Sequence, residues 1–265
     1  MNNRIFIIAI PGIGTKEDGF SKGFQKDLEK FSKNAPLEGN YEVIECLPFK
    51  ETNIDENQKA LFNRLDEENN LGGVLSFRKT LMEAFGDGVT FERNAADINS
   101  PYQRIHGYLR RVIQETNKKM QDFPDSKLLI VASSMSSHIL STYVWDADHG
   151  KGIFKSIPAN NQNNLKNLSY LVTLGSNIPL FVSGLAENQI IAFDKRNPDF
   201  TWDNYYDKDD VLGWPLKQLS NSYKNLVNDF QINTGLYVGS HVKYWSDNDF
   251  TKPFVQTLLE LFNAM

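Results

Sequence analysis

Apolar residues enter this chain in short unbroken runs set between long amphipathic stretches. Arg4–Ile10 holds the first run, and Tyr41–Leu47, Lys127–Ala132, Leu168–Leu174 and Trp202–Tyr206 follow, with a short sixth at Phe230–Asn233. Runs of this length, rich in β-branched and aromatic residues, predict strands buried on both faces of a parallel sheet. Phe20, Phe24, Leu28 and Phe31 lie on one side of a helical wheel and predict an amphipathic helix. Residues 52–126 read as mostly helical, with breaks at Asn70–Gly73 and Gly86–Gly88. A fresh start is expected at Ser100-Pro101, where serine caps and proline opens the first turn. Met135–Trp145 and Phe254–Phe262 are further helices. Strands alternating with helices predict an α/β fold: a mostly parallel central sheet with helices on both faces, in three layers.

Residues 176–200 form an irregular excursion carrying Ile178, Pro179, Leu180 and Phe181, suited equally to an acyl pocket and to ordinary packing. The run Asn160-Asn161-Gln162-Asn163-Asn164 reads as a solvated loop. No repeat or linker divides the chain. A single domain over residues 1–265 is expected, with a helical insert at 52–126 and a lid-like excursion at 176–200.

Composition narrows the function classes. Hydrophobic residues make up 40% and charged residues 23%, enough apolar material for a core. The net charge of -5, from 28 Lys+Arg against 33 Asp+Glu, lacks the basic footprint of a nucleic-acid binder. Cys46 is the only cysteine, which excludes a disulfide framework and any multi-thiolate metal site. No stretch approaches the roughly 20 apolar residues of a membrane span. Ile5–Ile10 is too short for the core of a signal peptide. A cytoplasmic location is the expectation.

In a parallel sheet, reactive groups collect beyond the carboxyl ends of the strands. The third predicted strand leads into Ala132-Ser133-Ser134-Met135-Ser136, the small-x-Ser-x-small outline of a nucleophile elbow. A serine-rich turn in this position also serves as a plain helix N-cap. The first strand leads into Pro11-Gly12-Ile13-Gly14-Thr15, a turn able to aim the Ile13 amide, with that of Met135, at an oxyanion. The fifth is followed by Asp207-Lys208-Asp209-Asp210-Val211-Leu212-Gly213. Near the end of the chain stands Ser240-His241-Val242-Lys243-Tyr244-Trp245. Among the other histidines, His138 lies four residues after Ser134 but lacks a carboxylate, and His106 and His149 read as surface residues.

These segments, in the order serine, acid, histidine, resemble the α/β-hydrolase fold. In particular they are similar to uncharacterised bacterial serine hydrolases, lipase- or esterase-like, with segments such as HSLGS, TLGSPIPLF, YDPDDVIGYPL and SHxxYW. The resemblance implies Ser134 as nucleophile, His241 as general base, and Asp209, two residues before Val211, as the acid, with Asp210 and Asp207 as fallbacks. It implies a small-molecule acyl or ester substrate and no metal or organic cofactor. The chain departs from the pattern at Ser133, at Ser136 in place of glycine, and at Pro11 in place of histidine. Those departures keep a second function in view, a non-catalytic binding or scaffold protein on the same fold. The oligomeric state stays open, since the apolar excursion suits a homodimer face as well as a lid.

Overall fold

A computed structural model describes residues 3–13, 15, 17–52, 54–69, 91, 97, 99–158, 164–235 and 241–265. The breaks expected at Asn70–Gly73 and Gly86–Gly88, residues 160–163 of the Asn/Gln run, Gly14 and Ser240 lie outside the described residues. The apolar runs form a six-stranded sheet: β1 (Ile5–Ile10), β2 (Tyr41–Glu45), β3 (Lys127–Ser133), β4 (Leu168–Leu174), β5 (Thr201–Asp207) and β6 (Val227–Ile232). All neighbours run parallel in the order β2-β1-β3-β4-β5-β6. The carboxyl ends of β3 and β5 therefore stand two strands apart, with the end of β4 between them.

Alternating side chains along each strand serve two cores, as the pleat demands. Phe6, Ile8, Leu128, Ile130, Leu171 and Trp202 meet helices Pro101–Met120 and Met135–His149 on one face. Ile5, Ile7, Leu129, Val131, Val172 and Tyr205 meet helices Lys22–Ser32 and Asn248–Asn263 on the other. Ser100 caps helix Pro101–Met120 by accepting from the Gln103 amide, with Pro101 at its start as expected. No described helix is long and apolar enough to cross a membrane.

The helix expected over Met135–Trp145 runs on to His149, and the excursion after β4 holds a short helix, Ile178–Val182. Two further elements differ from expectation for local reasons. β6 begins three residues earlier than the apolar pattern suggests; as an edge strand it buries only Val227 and Ile232 at its ends and leaves Phe230 exposed. The last helix begins at Asn248, because the Asp247 carboxylate caps it by accepting from the Asp249 amide at 2.7 Å and Pro253 is accommodated inside it.

The second half of the 176–200 excursion is tied to the core. Phe193 stacks on Trp202, with ring centroids 5.0 Å apart. The Arg196 side chain is fully buried and pairs through both terminal nitrogens with the Asp148 carboxylate. It also donates to the carbonyls of Asp194 and Asn164. A bidentate guanidinium out of water is costly to leave without its partner. Asp148→Ala should therefore lower the unfolding free energy by roughly 3–5 kcal/mol in urea titrations, and a loss below about 1 kcal/mol would show that water already reaches Arg196.

His106 is not the surface residue expected from sequence. It is buried between helices Pro101–Met120 and Met135–His149, against Tyr102, Phe91 and Tyr143. Its Nε2–H donates to the Ile139 carbonyl at 3.2 Å and Nδ1 finds no partner. Burial first, and the neighbouring His138 after it, push the imidazole down to about 3 against the help of that carbonyl. Unfolded, the ring takes a proton near pH 6.5, which the folded ring refuses. Its contribution is thus fully present above that pH and drains away as pH falls toward 3. Between pH 6.5 and 5 thermal melts should lose about 2 kcal/mol of stability from this ring, and His106→Gln should flatten that slope relative to the parent protein.

Candidate functional site

At the end of β3 the chain reverses at Ser134, whose φ of 54° and ψ of -128° place a non-glycine residue in left-handed space. Such a conformation is strained and persists only where its surroundings hold it. Here the Ser134 amide donates to the Leu174 carbonyl at the end of β4, at 2.8 Å, and helix Met135–His149 starts at the next residue. The hydroxyl makes no helix-capping bond. It is free to stand above the sheet.

The turn after β1 crosses this elbow at contact distance. A Cβ on Gly12 would sit 3.0 Å from the Ser134 Cβ, so the position admits no larger residue without displacement. Ser136, whose hydroxyl replaces the small glycine of the expected pattern, is fully buried and donates to the Pro11 carbonyl at 2.5 Å. The departure from glycine is thus a hydrogen bond that fastens the Pro11–Ile13 turn to the helix. Met135 opens that helix, where the first amides have no intrahelical acceptor. Ile13 lies in the turn held against Ser134.

The opposite side of the site comes from the loop after β5. Asp207 ends the strand, and its carboxylate is occupied by the Asp209 amide (2.9 Å) and by the Thr234 amide (2.6 Å) and hydroxyl (3.0 Å). Burial pulls this carboxyl up, but these donors and the Gly235 amide outweigh it and hold it below the usual carboxylate range. The Asp210 amide donates to the Asp207 carbonyl at 3.1 Å, folding the loop back over the strand end. The Asp210 carboxylate, sealed from solvent, accepts from the Leu212 amide at 3.0 Å on Oδ1. Its Oδ2 accepts from the Tyr244 hydroxyl at 2.9 Å and from His241 Nδ1 at 2.7 Å. The far nitrogen of that ring, Nε2, lies 2.7 Å from Ser134 Oγ.

The structure therefore brings Ser134 and His241 together as the sequence suggests, but corrects the acid. Asp210, not Asp209, holds the imidazole. Asp209 sits at the bend of the turn, half-buried, with its amide drawn to Asp207 Oδ1, while Asp210 is the residue folded inward. His138 does not serve Ser134: its ring stacks on Phe181, centroids 4.1 Å apart and planes within 10°. Tyr244 was missed as a site residue although it stands three positions after His241 in the Ser-His-x-x-Tyr-Trp segment. Among the described residues, no group of three or more His, Cys, Asp and Glu is placed to hold a metal ion.

A hydroxyl bonded to an imidazole whose other nitrogen is held by a buried carboxylate is a path for a proton from oxygen to ring. This path rises at the turn beyond β3, in the chain order serine, aspartate, histidine. The fold that carries it is a three-layer α/β sandwich, a six-stranded parallel sheet with helices on both faces. No family model matches the chain, and no curated protein matches it. Solved structures similar in backbone path include a cutinase-like protein from Cryptococcus sp., at 9% identity and TM-score 0.42, covering 98% of this chain and 95% of that one. A thioesterase from the prodiginine biosynthetic pathway in Streptomyces coelicolor is similar at 10% identity and TM-score 0.43, over 97% of this chain and 85% of its own. An acetyl xylan esterase is similar at 9% identity and TM-score 0.41, over 98% and 97%. At such identities no chemistry carries over from these proteins.

Proton NMR separates the two aspartates. A far-downfield imidazole N–H from His241 is expected in the parent protein and in Asp209→Asn, and should move upfield or vanish in Asp210→Asn. The reverse pattern would restore Asp209 as the holder of the ring.

Proposed function

We propose that this protein is a serine hydrolase that cleaves a carboxylic ester or a related acyl bond of a small-molecule substrate. The observation that carries this reading is the continuous contact from Asp210 through His241 to Ser134, with 2.7 Å at each step. His241 Nε2 takes the hydroxyl proton as Ser134 Oγ attacks the substrate carbonyl carbon. The resulting oxyanion is stabilised by the amides of Ile13 and Met135. The protonated ring then donates to the leaving oxygen, which departs as the alcohol and leaves an acyl-serine. Water, deprotonated by the same ring, attacks the acyl carbon and frees the carboxylate product. Asp210 keeps the imidazole in the tautomer with Nδ1 protonated and stabilises its charged form.

Local packing supports these roles. Ser136 fixes the Pro11–Ile13 turn, so the proposed oxyanion donors sit on two segments bolted together rather than on a mobile loop. Phe181 is only partly buried and stacks on His138, one helical turn along from Ser134, and this reading assigns it to the wall of an acyl site. By contrast Ile178 belongs to the buried core. The scaffold reading is supported less well, because the serine at 136, where the expected elbow has glycine, is itself a working contact.

A fluorophosphonate probe tests the nucleophile without knowledge of the natural substrate. The parent protein should be labelled at Ser134 and should hydrolyse short p-nitrophenyl esters. Ser134→Ala should abolish labelling and lower turnover by about 10³-fold or more, with an unchanged melting curve. A folded parent protein that resists the probe and turns over no ester would favour the binding-protein reading.

A further inference from the structure

Tyr244 ends on the same oxygen as His241 yet takes no part in the proton path. Its hydroxyl accepts from the Asp207 amide at 2.9 Å, so its own proton is directed to Asp210 Oδ2, also at 2.9 Å. The ring is buried and stands edge-on to His241, with centroids 6.4 Å apart and planes at 85°. It lies over Gly175 at the end of β4, where φ is +54° and a Cβ would come within 2.7 Å of Cε2. Any side chain at 175 would push the phenol off the carboxylate. Burial first, then the charge of Asp210, push the phenol far above its ordinary range, so it remains a proton donor at neutral pH.

Two donors on one carboxylate oxygen compete for the same electron density. A carboxylate that also accepts from a phenol is a weaker base, and it stabilises the imidazolium beside it less. We propose that Tyr244 is a positioning residue that tempers Asp210, keeping His241 unprotonated and ready to accept the serine proton at lower pH than an Asp–His pair alone would allow. The proposal depends on the triad reading above. The other ionisable groups on the segments that carry the pair are Asp207, Lys208 and Asp209 on the loop after β5, and Lys243 and Asp247 on the segment after His241, with Asp247 coupled by charge to Asp207. The Gly175–Asn177 segment and the Ser134 elbow carry no charge. Asp207 is committed to Thr234.

The experiment compares the pH dependence of kcat/KM for a p-nitrophenyl ester, and of fluorophosphonate labelling, in the parent protein and Tyr244→Phe. Removing the phenol O–H should move the acid limb upward by about half a pH unit or more, while the high-pH plateau stays within about threefold. Replacing Tyr244 with a ring-fluorinated tyrosine, a stronger donor of the same shape, should move the limb downward. A residue that only packs would lower the melting temperature or the plateau and leave the limb in place. An unmoved limb in Tyr244→Phe overturns the proposal. Should that variant fail to fold, an unmoved limb in the fluorinated protein overturns it equally. A parent protein that neither labels nor turns over ester refutes the triad reading itself, and this proposal with it, which is distinct from a parent that works and a limb that does not move.

Discussion

A carboxylate sealed from water is the constraint around which the carboxyl end of this sheet is organised. An ionised group without solvent must be compensated by donors, or it takes up a proton. Asp210 finds its donors on separate stretches of chain: the Leu212 amide on its own loop, and the Tyr244 hydroxyl and His241 ring from a segment about thirty residues later. Those bonds dock the segment before the last helix onto the loop after β5. The geometry of the imidazole follows from that docking.

The strand order then sets the span. Ser134 rises from the end of β3 and Asp210 from beyond β5, so the imidazole bridges across the end of β4. With neighbouring strands about 4.8 Å apart, the gap is about 10 Å, which a histidine ring with its two hydrogen bonds can cover. The bridge leaves no room above β4, and this is why glycine stands at 175, under both the Tyr244 ring and the Asp210 carboxylate. On the other flank Gly12 answers the same crowding against Ser134, and the Ser136 hydroxyl converts close approach into a bond. Close contacts thus hold the chain on both sides of the serine.

Much of this is legible in the chain alone. Strands buried on both faces must be apolar throughout, so the runs at β1, β3 and β4 announced themselves. The elbow was legible because its sterics demand small residues around Ser134, and the order of serine, aspartate and histidine was plain. The expected cap at Ser100 also formed, since it depends only on residues three apart. Where burial is one-sided the signal weakened: β6 was placed late, because an edge strand has no need of a continuous apolar run.

Which carboxylate faces the ring was decided by tertiary structure. Asp207, Asp209 and Asp210 are chemically alike and nearly adjacent, and only the turn that draws the Asp210 amide to the Asp207 carbonyl points one of them inward. His106 shows the same limit, for a polar residue on a helix declares its burial only when a neighbouring helix covers it. The linear order of residues determined periodicity, local turns and the presence of the reactive groups, because these depend on near neighbours. The partners of each polar atom depend on segments that meet only after the sheet has assembled, and that meeting alone selected Asp210 and brought Tyr244 to it.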